Sequence, residues 1–270
     1  MKRNNIMPDG YNQKYIKGKG AKWCHLSYYS SITLSKRNLN VLIPYGYNEK
    51  KEYPVLYLLH GIGGDENEWK DAGVEYIISN LLAEHKIKEF ITVMPNIRVR
   101  ADDKANPEDI FTLGHFKAFD MSIEELEKNI MPFIENNFKI KKGRENTAVA
   151  GLSMGGREAL YNGLARPGAF GYIGAFSPAY GIFSYTNNGI TEEGLFTKEE
   201  FRLPDKYKDN TFLMIANGDN DMVTKEQAHQ YHNVLMGNNT KHLYKIYIGG
   251  HDFTVWGKSL YEFVQHIFNV

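Results

Sequence analysis

Short runs of residues that are apolar at nearly every position constrain this chain more than any other feature. Val55–Leu59 is apolar throughout, and residues 90–94 are apolar apart from Thr92. A strand with one solvated face alternates apolar and polar residues, so an unbroken apolar run predicts a strand buried on both faces of a parallel sheet. Further strands are predicted at residues 147–150, 172–176, 212–216 and 243–248, with antiparallel edge strands around residues 26–34 and 38–43.

Longer amphipathic stretches separate these runs and predict helices. They cover residues 122–138, with Ser122 as the expected cap, and residues 154–165, 225–236 and 256–268. Strands that alternate with helices predict an α/β protein with a mostly parallel sheet flanked by helices, which we interpret as one domain over residues 1–270. Two irregular stretches, at about residues 98–119 and 180–207, are the predicted walls of a binding site.

Composition excludes several classes of function. The chain has 32 basic and 32 acidic residues, so we predict neither a nucleic-acid nor a membrane partner. Cys24 is the single cysteine, which excludes an intramolecular disulfide and a cysteine-based metal cage. We predict no metal ion and no organic cofactor. No apolar leader follows the charged N-terminus, so we expect a cytoplasmic location unless a signal peptide has been removed.

The segment Gly151–Gly156 reads Gly-Leu-Ser-Met-Gly-Gly and contains the pattern G-x-S-x-G. A predicted strand precedes it and a predicted helix follows it, which is the setting of a nucleophile elbow in the α/β-hydrolase fold. Ser153 is therefore the predicted nucleophile, exposed at the carboxyl end of the sheet and near a helix N-terminus. A glycine-rich turn with an incidental serine is the alternative interpretation.

A serine nucleophile needs a histidine base and a carboxylate that orients the histidine, in the chain order Ser, Asp or Glu, His. His251 follows a predicted strand through Gly249 and Gly250 and is the predicted base. Asp219 and Asp221 both follow the preceding strand, and Asp221 has more room to turn before it presents its carboxylate. We predict Asp221 as the acid and keep Asp219 as the second candidate.

A glycine-rich segment, His60–Gly64, follows the predicted strand at residues 55–59. Glycines let backbone N–H groups turn toward a site, where they stabilise the oxyanion of a tetrahedral intermediate. The predicted donors are the amides of Ile62 and Met154, the latter directly after the nucleophile. Together with the triad, these donors predict a hydrolase that works through an acyl-enzyme.

Three segments resemble one known family: His60–Gly64 with Trp69 downstream, Gly151–Gly156, and residues 249–256. From about residue 25 onwards the chain is similar to the bacterial feruloyl esterases of the esterase D group (carbohydrate esterase family 1), and most to the feruloyl esterase domains of clostridial xylanases. The resemblance favours Asp221 over Asp219. It also implies that Gly61, Ser177 and Trp256 contribute to a pocket for an aromatic acyl group.

The resemblance implies an activity: release of ferulic or related hydroxycinnamic acids from small-molecule or oligosaccharide esters derived from plant-wall xylan. Acetyl (xylan) esterases, S-formylglutathione-type thioesterases and acyltransferases belong to the same group, so they remain alternatives. A binding protein that kept the fold without catalysis is a further alternative. The sequence leaves the oligomeric state open, and a homodimer is possible.

Overall fold

The computed structural model of the chain describes residues 7–16, 20–187 and 189–268. Its strands are β1 (Lys22–Ser30), β2 (Ser35–Ile43), β3 (Val55–Leu59), β4 (Ile91–Pro95), β5 (Thr147–Leu152), β6 (Tyr172–Phe176), β7 (Tyr185–Asn187), β8 (Ile190–Glu192), β9 (Phe212–Gly218) and β10 (Leu243–Tyr247). Within these residues, one large sheet has the strand order β1-β2-β4-β3-β5-β6-β9-β10, and β7 pairs with β8 in a separate hairpin.

The large sheet is antiparallel at one edge and parallel elsewhere. β2 pairs antiparallel with β1 and with β4, whereas the neighbours from β4 to β10 run parallel. All residues of the central strands β3 and β5 are buried, as their apolar sequences require. The predicted α/β-hydrolase fold with a mostly parallel sheet is confirmed.

Helices cover both faces of this sheet. They are α1 (Glu68–Asp71), α2 (Val74–Ala83), α3 (Leu113–Asp120), α4 (Ser122–Glu125), α5 (Met131–Asn137), α6 (Met154–Ala165), α7 (Lys225–Gly237) and α8 (Phe253–Phe263). Residues of α3, α5, α6 and α7 share one core cluster with Tyr57 and Val149, and residues of α1, α2 and α8 share another with Leu56 and Ala148. Neighbouring residues of a strand thus contribute to opposite cores, because side chains alternate across a sheet.

Several predicted boundaries are wrong. The helix predicted at residues 122–138 is present and continuous over 122–137, but a five-residue π-helical segment, Leu126–Ile130, joins α4 to α5. Ser122 does not cap this stretch, because its hydroxyl donates to Glu158 instead. The last helix begins at Phe253, three residues earlier than predicted, because the Asp252 side chain accepts the Thr254 amide and caps the first turn.

The two stretches predicted to be irregular contain regular elements. α3 covers the end of the first stretch, residues 98–119, and passes one residue beyond it to Asp120. Its first turn is capped by Thr112, which accepts the His115 amide. The hairpin of β7 and β8 lies within residues 180–207. The prediction that one domain covers residues 1–270 stays a prediction.

Candidate active site

Ser153 lies at the sharp turn between β5 and α6. Its backbone has φ 51° and ψ −116°, outside the regions that a side chain favours. Its amide donates to the Phe176 carbonyl of β6 at 2.8 Å, which holds the turn against the sheet. A Cβ on Gly155 would lie 2.4 Å from the Leu59 carbonyl oxygen, so the helix can approach β3 this closely only with glycine there. The close packing therefore maintains the strained serine.

The three predicted triad residues lie within hydrogen-bond distance of one another. Nε2 of His251 is 3.0 Å from Oγ of Ser153, and Nδ1 of His251 is 2.8 Å from Oδ2 of Asp221. Both contacts together place the proton on Nδ1, which leaves Nε2 free to accept the serine proton. The geometry is that of a nucleophile, a base and an orienting carboxylate.

Asp221 is completely buried, and its carboxylate is fully hydrogen-bonded. Oδ1 accepts the amides of Val223 and Thr224 at 2.9 Å, and Oδ2 accepts the Thr224 hydroxyl at 3.0 Å. Burial alone would raise the pKa of the Asp221 carboxyl, but these bonds and His251 hold that pKa well below its usual value. The carboxylate therefore stays ionised. Thr224 has no sequence motif that would have identified it.

Asp219, the second candidate, faces elsewhere. Its Oδ1 accepts the Gly249 amide at 3.0 Å, and its side chain is exposed. Asp219 thus connects the loop that carries the acid to the loop that carries His251, and the structure brings Asp221 rather than Asp219 to the imidazole.

The segment after β3 lies beside the elbow. A Cβ on Gly61 would lie 3.6 Å from Cβ of Ser153, so the backbone at this point borders the nucleophile. The Gly61 amide donates to Glu68 at 2.6 Å, which occupies that donor. Met154 is the first residue of α6, and first-turn amides have no acceptor within their own helix. The Ile62 and Met154 amides remain the predicted oxyanion donors.

A family model described as "Putative esterase" matches residues 30–267, a range that includes the elbow, the acid loop and His251. The chain belongs to this esterase family. The resemblance seen in the sequence motifs is confirmed by the relatives that follow.

Two curated relatives of this esterase are xylanases. It is 32% identical over 254 residues to an endo-1,4-beta-xylanase/feruloyl esterase of Xylanibacter ruminicola, across 90% of this chain and 31% of the relative. It is 26% identical over 195 residues to endo-1,4-beta-xylanase Y of Acetivibrio thermocellus, across 64% of this chain and 16% of the relative. The chain therefore spans less than a third of the length of either relative.

A solved structure is similar over the full length. A CE1 ferulic acid esterase of Anaeromyces mucronatus, in complex with ferulic acid, has 36% sequence identity and a TM-score of 0.90. The alignment covers 99% of this chain and 98% of that chain. The two chains therefore have the same fold over nearly their whole length.

The residues predicted to bind substrate are all buried. Gly61 is a backbone position beside Ser153, and Ser177 is fully buried at the end of β6 with a left-handed φ of 47°. Trp256 lies under the base, with ring centroids of Trp256 and His251 5.0 Å apart and the rings at 86°. The structure brings these residues to the site, and a role in substrate binding stays a prediction.

Aromatic side chains from the two wall stretches meet beside the elbow. The ring of Phe116 in α3 packs on Tyr180 and Tyr185, with centroids 5.1 and 5.8 Å apart. The Ala179 amide donates to the Ser153 carbonyl at 3.0 Å, which joins this aromatic cluster to the nucleophile turn. That residues 98–119 and 180–207 form the walls of a binding site stays a prediction.

Arg157, one helical turn beyond Ser153, hydrogen-bonds both to α3 and to the stretch at residues 180–207. Its guanidinium is buried, donates to Asp120 at 2.6 Å and to the Gly181 carbonyl at 3.2 Å, and contacts Glu158. The adjacent charged residues Arg157 and Glu158, inside a helix made mostly of small and apolar residues, are the sequence signal that would have identified this network.

The part of the chain that the structure describes contains neither a candidate membrane span nor a cluster of metal ligands. Among residues 7–16, 20–187 and 189–268, no helix combines the length and apolar character that crossing a bilayer requires. In the same part of the chain, no group of three or more His, Cys, Asp or Glu side chains is arranged to hold a metal ion.

Proposed function

We propose that this esterase releases ferulic and related hydroxycinnamic acids from esterified saccharides derived from plant-wall xylan. The observation that carries this proposal is the full-length similarity to a ferulic acid esterase whose structure contains ferulic acid. The xylanase/feruloyl esterase of Xylanibacter ruminicola supports the same substrate class. In both cases the substrate is that of the relative, and its transfer to this chain is our inference.

Acylation begins at Ser153. His251 takes the serine proton through Nε2 as the hydroxyl attacks the ester carbonyl, and Asp221 stabilises the imidazolium through Nδ1. The carbonyl oxygen becomes an oxyanion that the Ile62 and Met154 amides bind. His251 then returns its proton to the alcohol oxygen, the bond from that oxygen to the carbonyl carbon breaks, and the acid remains attached to Ser153.

Deacylation repeats these steps with water. His251 removes a proton from a water molecule that attacks the acyl carbonyl, and the Ile62 and Met154 amides again bind the oxyanion. The bond from the acyl carbon to Ser153 Oγ then breaks as His251 returns the proton to Oγ. The carboxylic acid leaves, and the free serine is restored. The N-terminus of the 12-residue helix α6 favours the negative charge at both oxyanion stages.

The aromatic cluster of Phe116, Tyr180 and Tyr185 is the surface we assign to the hydroxycinnamoyl ring. It joins the nucleophile turn through the Ala179 amide. Tyr180 and Tyr185 are half-buried, so part of each ring is open to a ligand. Aromatic rings favour offset or edge-to-face packing against one another, which suits a planar acyl group.

A substrate panel tests this function. We expect kcat/KM for methyl ferulate and feruloylated xylo-oligosaccharides to exceed that for acetylated xylan and S-formylglutathione by at least about 100-fold, or about 2.7 kcal/mol of transition-state binding. Ser153→Ala provides the control, because it removes the nucleophile and its reaction with fluorophosphonates. Preference for either of the other two substrates would reject the hydroxycinnamoyl assignment, and acyl transfer to added alcohols in preference to water would reject hydrolysis.

A further inference from the structure

Two histidines outside the triad donate to backbone carbonyls next to the Ile62 amide: His60 to that of Gly61, and His115 to that of Ile62 itself. Nδ1 of His60 is 2.7 Å from the Gly61 carbonyl oxygen, and Nε2 of His115 is 3.0 Å from the Ile62 carbonyl oxygen. Both side chains are buried, with 1% exposure. Neither has a part in the proton transfers described above, so their position needs another explanation.

The proton of His60 is placed by its neighbours. The Ile97 amide donates to Nε2 at 2.9 Å, so that nitrogen carries no proton and Nδ1 must carry it. Oδ1 of Asn96, 3.2 Å from the same nitrogen, accepts the Arg98 amide instead. Burial and the charge of Arg98 lower the pKa of His60 to about 4. The neutral ring therefore donates to Gly61 from Nδ1.

His115 uses the opposite ring nitrogen. A carbonyl oxygen only accepts, so Nε2 carries the proton that bonds Ile62. Within the described residues Nδ1 has no hydrogen-bond partner, and the nearest carboxylate oxygen, Oδ1 of Asp109, is 3.6 Å away. The other oxygen of Asp109 accepts from Arg100 at 2.7 Å. The His115 ring thus makes one side-chain hydrogen bond, and it is directed at the loop after β3.

Because peptide groups are planar, these two hydrogen bonds also fix the direction of the Ile62 N–H. The Gly61 carbonyl and the Ile62 N–H belong to one planar trans peptide and point in opposite directions. The Ile62 carbonyl belongs to the next peptide. Fixing both carbonyls fixes the two planes that meet at Ile62, and hence its backbone conformation. An oxyanion donor is effective only when it is held in place before the charge develops.

We propose that His60 and His115 are positioning residues that aim the Ile62 amide at the oxyanion, His60 through Nδ1–H and His115 through Nε2–H. This inference rests on the proposed function, because it takes the Ile62 amide as an oxyanion donor. The use of opposite nitrogens makes the proposal testable, since asparagine presents an N–H near the position of Nδ1 and glutamine presents one near the position of Nε2.

The test exchanges asparagine and glutamine at the two positions. His60→Asn and His115→Gln keep the donor, whereas His60→Gln and His115→Asn remove it. With p-nitrophenyl acetate we expect the second pair to lose about 10- to 100-fold in kcat, because the Ile62 amide is misplaced rather than lost. We expect KM to change less than about threefold, because the oxyanion forms only in the transition state.

Phenylboronic acid gives a second readout, since its tetrahedral adduct with Ser153 places an oxygen in the oxyanion hole. Its affinity should fall in parallel with kcat. His242 is the matched control, because its Nδ1 also donates to a carbonyl, that of Thr240, at 2.7 Å, but at the start of β10 and away from the site. His242→Asn and His242→Gln should both keep wild-type kcat.

The order of the variants decides the proposal. Asparagine above glutamine at position 60 together with glutamine above asparagine at position 115 supports it. Equal losses at either position, or losses confined to KM, would overturn it. If His60→Gln does not fold, the pair at position 115 still decides. If the wild-type enzyme hydrolyses p-nitrophenyl acetate normally but releases ferulate poorly, only the proposed substrate is rejected. The proposal for the two histidines is tested separately, because it uses p-nitrophenyl acetate.

Discussion

The two ends of the parallel sheet differ in what they present to solvent. At the carboxyl ends of β3, β5, β9 and β10 lie the oxyanion segment, Ser153, Asp221 and His251. At the amino ends lies a cleft of about 790 Å³, whose lining includes Ser79, His85, Tyr172 and Phe268. The cleft is larger than the space that a single ester carbonyl needs, yet no residue of the triad lines it.

The difference lies in hydrogen bonding rather than in volume. Ser153 contacts a histidine that contacts a buried carboxylate, whereas the buried Ser79 hydroxyl has no hydrogen-bond partner within the described residues. The six-residue strand β5 separates the two ends by on the order of 20 Å. Cavity size alone would have pointed to the wrong end, while convergent polar groups identify the right one.

The largest expected effect contrasts one histidine at each end. His251→Gln removes the base, and we expect kcat to fall about 10⁵- to 10⁶-fold, as for other triad histidines. His85→Gln changes a residue that lines the far cleft and should leave kcat within about twofold. Steady-state hydrolysis of p-nitrophenyl acetate measures both. A comparable loss in His85→Gln would mean that the cleft takes part in the reaction.

The next effect contrasts the two aspartates of one loop. Asp221→Asn removes the charge that stabilises the His251 imidazolium, and we expect a loss of about 10⁴-fold in kcat. Asp219→Asn alters only the contact with the Gly249 amide and should cost less than about tenfold. The same assay ranks them. If Asp219→Asn were the more damaging change, the assignment of the acid would have to be reversed.

These pairs show which site residues could be predicted from the sequence and which could not. Ser153 and His251 were predictable because each follows a recognisable strand through glycines. Asp221 and Asp219 were harder to separate, since their difference depends on which side chain the folded loop turns toward His251. Residues 74–83 of α2 have apolar positions at helical spacing, so that helix had a signal that no prediction used.

The positioning residues outside the segment His60–Gly64 had no local signal. His115 lies 53 positions from Ile62 in sequence, and Thr224 and Glu68 have no neighbouring residues that mark a catalytic role. Each acts through a contact that exists only after the elements have packed. Sequence motifs therefore identify the groups that react, while the groups that orient them require the tertiary structure.

A third contrast concerns ion pairs. Arg157 is buried beneath the elbow and pairs with Asp120 and Glu158. Arg157→Met would leave the acidic side chains of Asp120 and the buried Glu158 without their shared donor, and we expect the free energy of unfolding to fall by about 3–5 kcal/mol. Urea denaturation gives this value. A loss of less than about 1 kcal/mol would show that the network contributes little to the stability of the site.

The matched control for Arg157 lies at the cleft. Lys51 pairs with Glu89 on its rim, where both side chains are largely solvated. Lys51→Met should change the free energy of unfolding by less than about 1 kcal/mol, because exposed ion pairs are weak. A large loss in both variants would point to a general sensitivity of the fold, and the contrast between the two ends would then disappear.

The smallest effect is a pH dependence that originates at His60. Its pKa is about 4 in the folded protein because burial, and then the Arg98 charge, disfavour protonation. An unfolded chain protonates histidine below about pH 6.5, so between about pH 6.5 and 4 the unfolded state binds a proton that the folded state does not. The free energy of unfolding therefore decreases as the pH falls through this window, by about 3 kcal/mol in total.

Urea denaturation at several pH values should show this contribution absent in both His60→Asn and His60→Gln, although the two variants differ in kcat. An unchanged slope would mean that His60 is protonated in the folded protein, and its Nε2 could not then accept the Ile97 amide.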